Sequence, residues 1–144
     1  MSGPAHRLTA VQVATLVRAA RVARRQAYAP YSRFPVGAAV LTASGAVIPG
    51  CNVENASYGL SSCAERVAIH RAVTEGHRRL RAVAVAARGD GAMPCGACRQ
   101  VMQEFGVEHV VIAGSSGAPR LFKLGDLLDH PFGPADLVHT ARRR

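Results

Sequence analysis

The sequence predicts an α/β domain in which a mixed β-sheet carries helices on its faces. Helix-period apolar spacing opens the chain, and four short apolar runs follow, at Val36–Thr42, Ala46–Val53, Leu80–Ala87 and His109–Ala113. Between them lie segments of helical character that begin on Cys63 and Cys95. Strands that alternate with helices after an initial hairpin need a sheet with both parallel and antiparallel neighbours.

Taken in order, residues Leu8–Tyr28 set Val13, Leu16, Val17 and Ala20 on one helical face, with Thr9 as N-cap and Pro30 as stop. Tyr28–Pro35 holds two prolines and no periodicity, so it is expected as a loop. Val36–Thr42 and Ala46–Val53 flank the turn signal Ser44-Gly45 and predict a hairpin. Cys63–Glu75 predicts a helix ended by Gly76. Leu80–Ala87 follows as a buried strand, Cys95–Phe105 as a short helix ended by Gly106, and His109–Ala113 as another strand. Leu121–Phe122 extends the sheet weakly, Leu124–Leu128 is a short helix, and the chain from His130 onward carries no clear pattern. The expectation is one domain over residues 1–144, with an ordered core from about 8 to 137 and a basic tail over 138–144.

Composition narrows the class. With 49% hydrophobic and 19% charged residues, the chain can bury a core without disulfides. No run is apolar for long enough to cross a bilayer, and Met1–Ala10 lacks the apolar centre of a signal peptide. The expected location is the cytoplasm, where four cysteines are metal ligands or buried thiols sooner than disulfides. The net charge of +9 rests on arginine, which supplies 17 of the 18 basic residues. It clusters at Arg21, Arg24 and Arg25, at Arg78, Arg79 and Arg81, and at Arg142–Arg144. Such runs are usually solvated faces. Without tryptophan, and with four Phe and three Tyr, the chain offers little for stacking bases, so nucleic acid is not the expected partner.

The chemistry concentrates in Cys63-Ala64-Glu65 and Pro94-Cys95-Gly96-Ala97-Cys98. Each cysteine falls at or near a predicted helix start, where unpaired N–H groups and the dipole favour thiolate. Three thiolates make an incomplete tetrahedral zinc site with one position open, and Glu65 stands where a carboxylate could move a proton beside it. A closed structural site using Cys51, a redox Cys-x-x-Cys pair and four ordinary core thiols remain open alternatives. The six histidines lack ligand spacing to the cysteines; His6 lies in the N-terminal tail, and all are expected as surface or packing residues. A donor set of three thiolates leaves the zinc centre negative, which opposes ionisation of a bound water. Arg66 is placed to offset this by hydrogen bonding to a ligand sulfur. Asn52 and Glu54 alternate near a strand end and so share a face, where a carboxylate would accept from a sugar hydroxyl and repel a phosphate.

Cys51-Asn-Val-Glu-Asn-Ala-Ser-Tyr58, Cys63-Ala-Glu-Arg66, Pro94-Cys-Gly-Ala-Cys-Arg-Gln100 and Tyr28-Ala-Pro-Tyr-Ser-Arg-Phe-Pro-Val-Gly-Ala-Ala39 together resemble the small homotetrameric zinc-dependent cytidine deaminases. The likeness runs from about Leu8 to Leu137. It implies a three-layer α/β/α sandwich around a five-stranded mixed sheet, and hydrolysis of cytidine and 2′-deoxycytidine to uridine and 2′-deoxyuridine with release of ammonia. It implies one zinc per chain on Cys63, Cys95 and Cys98, Glu65 as proton shuttle, and Arg66 in the shell around the ligands. Phe34 then packs against the pyrimidine, Asn52 and Glu54 bind the ribose hydroxyl, and Ala64 is a further substrate-binding residue. Ala56 and Tyr58 would be contributed across a subunit interface, and Phe132 from a further subunit, although Leu128-Asp-His-Pro-Phe132 departs from the family's pattern. A deaminase of the same fold acting on an aminated base in RNA or on a cytosine-bearing antibiotic, and a zinc-stabilised basic module that binds nucleic acid, are the competing functions.

Overall fold

The computed structural model describes residues 7–141, with side chains described to residue 137. His6, Arg142–Arg144 and the side chain of His139 lie outside the described residues. The first helix, α1, runs Ala10–Arg24, and its N-cap Thr9 forms a reciprocal capping box with Gln12. It stops short of the predicted Tyr28 because the backbone turns at Arg25–Ala27, whose N–H groups close the last carbonyls. Strands β1 (Gly37–Thr42) and β2 (Val47–Cys51) form the hairpin. Helix α2 (Ala64–Thr74), strand β3 (Leu80–Ala86), helix α3 (Gly96–Glu104) and strand β4 (His109–Ala113) follow. Strand β5 (Arg120–Lys123) runs directly into the short helix α4 (Leu124–Leu127).

The five strands lie in the order β2-β1-β3-β4-β5. Within this sheet β3 and β4 are parallel, joined through α3; the other neighbours are antiparallel. Alternate residues divide the sheet into two cores. Ala39, Leu41, Ala82, Ala84 and Val111 meet Leu16, Val17 and Ala20 of α1. Ala38, Val40, Val83, Val85, Val110 and Ile112 face the other way, against Ala68, Ile69 and Ala72 of α2 and Met102 of α3. The result is a three-layer α/β/α sandwich. Both faces are covered, which is why the central strands read as unbroken apolar runs. Truncating Ile69, fully buried, to alanine would cost about 2–5 kcal/mol.

Two glycines let the helices approach the hairpin. A methyl group on Gly37 would lie 1.9 Å from the Ala20 carbonyl oxygen, and one on Gly50 would lie 2.5 Å from the Ala68 nitrogen. Both obstacles are helix backbone, which cannot give way as a side chain would.

A fifth helix, α5 (Pro134–Ala141), forms where the sequence shows no clear pattern. Its start signals are present in the sequence. Pro134 stands at the first helical position, and the Asp136 carboxylate accepts from the Gly133 N–H at 2.8 Å.

Candidate active site

Cys63 and Cys95 are the N-caps of α2 and α3, two helices on the same side of the sheet. Their position follows from local pairing. Val53 and Ser62 exchange backbone hydrogen bonds at 2.9 and 3.0 Å, which delivers the chain to Cys63 in an extended conformation. On the other side, Arg99 fixes the turn before α3 by donating to the carbonyls of Pro94 at 2.8 Å and Leu127 at 2.6 Å. The Cys95 sulfur accepts from the Cys98 N–H at 3.5 Å, as an N-cap side chain does.

The three sulfurs of Cys63, Cys95 and Cys98 all lie within 4.8 Å of one another, and those of Cys63 and Cys95 are 3.8 Å apart. Thiolates about 2.3 Å from a tetrahedral zinc would lie about 3.8 Å apart, whereas a disulfide would need about 2 Å. The donor set thus fits zinc with one coordination position left open. Among the described residues these three form the metal-ligating cluster, and Cys51 at the end of β2 is outside it. The four-cysteine closed site is therefore not the one this fold builds.

Charge in the cluster is arranged around Arg66, whose Nη2 donates to the Cys63 sulfur at 3.6 Å from one turn along α2. Hydrogen bonds from the Cys98 thiol and then from Arg66 pull the Cys63 pKa down to about 5, against its partial burial. Cys98 moves the opposite way: its bond to Cys63, its burial and the nearby Glu65 charge push its pKa well up. Cys63 is thus the readiest thiolate of the pair, and Cys98 the thiol that holds its proton. Zinc binding must displace that proton. Glu65, only 4% exposed, is pushed up to about 7 by burial, with the Cys63 charge adding to the rise and its own backbone N–H and Arg66 opposing it. Ala64 between them is fully buried.

A second group of predicted residues gathers on the loop before β1. The Asn52 side chain accepts from the Val36 N–H at 2.8 Å and donates to the Phe34 carbonyl at 2.9 Å. Glu54 accepts from the N–H groups of Tyr31 and Ser32 at 2.9 and 3.1 Å and from the Ser32 hydroxyl. Those bonds, led by the Ser32 hydroxyl, hold its carboxyl below the usual range. Phe34 itself is half-buried, with the Arg88 guanidinium 4.9 Å from its ring centre. Tyr58 is exposed and packs on Tyr31 with ring centres 5.8 Å apart, and Ala56 is exposed beside it. Phe132 is exposed as well, its carbonyl held by Gln100 of α3 at 2.8 Å.

Ser32, Arg88 and Arg99 position these groups, and the sequence alone does not single them out. Only Arg99 carries a local signal, since it directly follows Cys98 on the helix that presents the sulfurs. The contacts of Ser32 and Arg88 span 22 and 54 residues of chain and depend on the fold.

Three thiols gathered at two helix starts, beside a buried carboxyl on an α/β/α sandwich, define the class of zinc-dependent deaminases. Comparison with known proteins agrees. The model described as "Cytidine and deoxycytidylate deaminase zinc-binding region" matches residues 11–114, a span that includes Cys63, Glu65, Cys95 and Cys98. Cytidine deaminase of Sporosarcina psychrophila is 42% identical over 136 residues, covering 92% of this chain and 100% of that protein. That of Mycobacterium tuberculosis strain H37Rv is 49% identical over 117 residues, covering 81% and 86%. The crystal structure of cytidine deaminase from Burkholderia pseudomallei superposes with a TM-score of 0.79 at 48% identity, covering 87% of this chain and 100% of that one. The chain belongs to the cytidine deaminase family, and its three-cysteine cluster lies within the matched zinc-binding region, positioned to bind a metal ion.

Proposed function

We propose that the chain hydrolyses cytidine and 2′-deoxycytidine to uridine and 2′-deoxyuridine, releasing ammonia, with one zinc held by Cys63, Cys95 and Cys98. The observation that carries this is the buried Glu65 carboxyl set beside three converging sulfurs. Bound zinc supplies Lewis acidity and brings a water within reach of ionisation near neutral pH. Glu65 takes the water's proton and passes it to ring N3, which makes C4 of the pyrimidine electrophilic. After the water oxygen adds to C4, Glu65 takes the remaining proton from the new C4 hydroxyl and delivers it to the departing amine, so that ammonia leaves and the C4 carbonyl forms. A carboxyl poised near neutrality suits both duties. Arg66 offsets the negative charge of the three thiolates.

Substrate class follows from the loop. Asn52 keeps one amide N–H and Glu54 keeps one acceptor position beyond the bonds described above, a donor and acceptor suited to a sugar hydroxyl. An ionised Glu54 repels phosphate, which favours the free nucleoside over nucleotides and nucleic acid. Phe34 offers a ring face to the pyrimidine. Tyr58 and Leu60 are 75% and 71% exposed, which supports a homotetramer whose neighbouring subunits bring Ala56, Tyr58 and Phe132 to one another's sites. No helix among the described residues is long and apolar enough to cross a membrane, and a cytoplasmic place in pyrimidine salvage fits a nucleoside substrate. Incubation with cytidine should release ammonia and form uridine, and a zinc chelator should abolish both. Absence of turnover in zinc-loaded protein would overturn the assignment.

A further inference from the structure

Behind the sheet from the cysteines, on the side covered by α1, lies a cavity of about 580 Å³ lined by Arg21, Arg24 and Arg25. Ala87 and Ser115, just past the ends of the parallel strands β3 and β4, complete its floor, and Pro35 forms one wall. Among the described residues no carboxylate lines it. From these observations we propose that this cavity is a second ligand site, which takes the polyphosphate chain of a nucleotide or of inorganic polyphosphate.

Arginines in the last turn of a helix ordinarily serve its carbonyl end. Here that end is already closed by backbone: Arg25, Gln26 and Ala27 donate to the carbonyls of Val22, Ala23 and Arg24. The guanidiniums are instead tied to other parts of the fold. Arg21 donates to the Gly114 carbonyl at 3.0 Å and Arg24 to the Pro35 carbonyl at 3.0 Å. Each anchor uses one N–H and leaves the rest of a planar fork at the cavity, the geometry that binds phosphate oxygens in pairs. Three like charges around one space repel each other until an anion enters. A single phosphate would fill little of about 580 Å³, whereas a chain of phosphates meets all three cations. The carboxyl ends of parallel strands are also where open α/β sheets commonly bind ligands.

This site is separate from the nucleoside site, where Glu54 disfavours phosphate, and its test reads binding and not turnover. Calorimetric titration of the full chain at low salt with inorganic tripolyphosphate, ATP and inorganic phosphate should show saturable binding of the first two and weaker binding of the third. Equal affinity for tripolyphosphate and ATP identifies the chain of phosphates as the ligand; tighter binding of ATP identifies a nucleotide. Arg25→Glu should weaken binding at least about tenfold. Arg79→Glu, the same charge change at an exposed position just before β3, at the opposite end of that strand from Ala87, should leave it unaltered. In the unsubstituted protein, tripolyphosphate should shift the amide resonances of Ala87, Gly114 and Ser115. Absence of saturable binding, equal loss in the Arg79 variant, or amide shifts confined to other regions would overturn the proposal.

Discussion

Asn52 donates to the Phe34 carbonyl at 2.9 Å while accepting from the Val36 N–H two residues on, so one side chain grips the backbone on both sides of Pro35. The loop that presents Phe34 is therefore fixed from the end of the hairpin. Arg33, just before Phe34, sits at φ +54°, a conformation that needs such support. Asn52→Ala removes two partly buried hydrogen bonds and should cost about 1–3 kcal/mol in a denaturant titration. It should also raise KM for cytidine. Asn52→Asp keeps the acceptor for Val36 but sets an oxygen against the Phe34 carbonyl, so it should rescue little of either loss.

Glu65→Gln preserves size and hydrogen-bonding shape but cannot carry the proton. The variant should retain zinc by metal analysis and lose about two to four orders of magnitude in kcat. Near-normal turnover in a zinc-loaded variant would remove Glu65 from the chemistry.

Replacing any of Cys63, Cys95 or Cys98 by serine should release the metal, while Cys51→Ser should retain one zinc per chain. Dialysis against a chelator should reproduce the first result in the unsubstituted protein, and added zinc should reverse it. Full metal occupancy in the Cys63 variant would contradict the assignment of ligands.

Arg66 acts on the cluster through the Cys63 sulfur. Arg66→Ala should move the pH–rate profile to higher pH: less positive charge beside the thiolates leaves the water harder to ionise, so more alkaline conditions are needed. Arg66→Lys restores charge without the fork and should recover part of the shift. A profile unchanged in folded, zinc-loaded Arg66→Ala would refute this role.

Glu54 should titrate below its ordinary value of 4.5, because its bonds to Ser32 and Tyr31 favour the ionised form. A depressed folded pKa means that its contribution to holding the loop is fully present above about 4.5 and is lost as pH falls through the lower folded value. Carboxyl resonances followed by NMR should show that midpoint, and Ser32→Ala should raise it. A midpoint at or above 4.5 in the unsubstituted chain would count against these bonds.

Much of the architecture is legible because its signals are local. Thr9 and Gln12 mark the start of α1, and the apolar runs mark strands covered on both faces. Cys63 and Cys95 announce helix starts that the structure indeed places together. The terminal helix is harder to read although Pro134 and Asp136 signal it, since its short amphipathic stretch lies beside glycine and proline. The engagement of Asn52 and Glu54 with the loop is not legible at all. Their alternation shows that they share a face, but the partners on that face come from residues 31–36, brought there by the hairpin and the bridge between Tyr28 and Val53.

Gly37 and Gly50 touch no reacting group, yet each is the contact point between one edge of the hairpin and a helix on one side of it. The two helices clamp the strand ends from which the chain passes to Phe34 and to Asn52. A survey of tolerated substitutions would place these two positions beside Cys63 and Glu65 in severity. The reason would be opposite: at the cysteine and glutamate an atom is required, and at the glycines the requirement is that none be there.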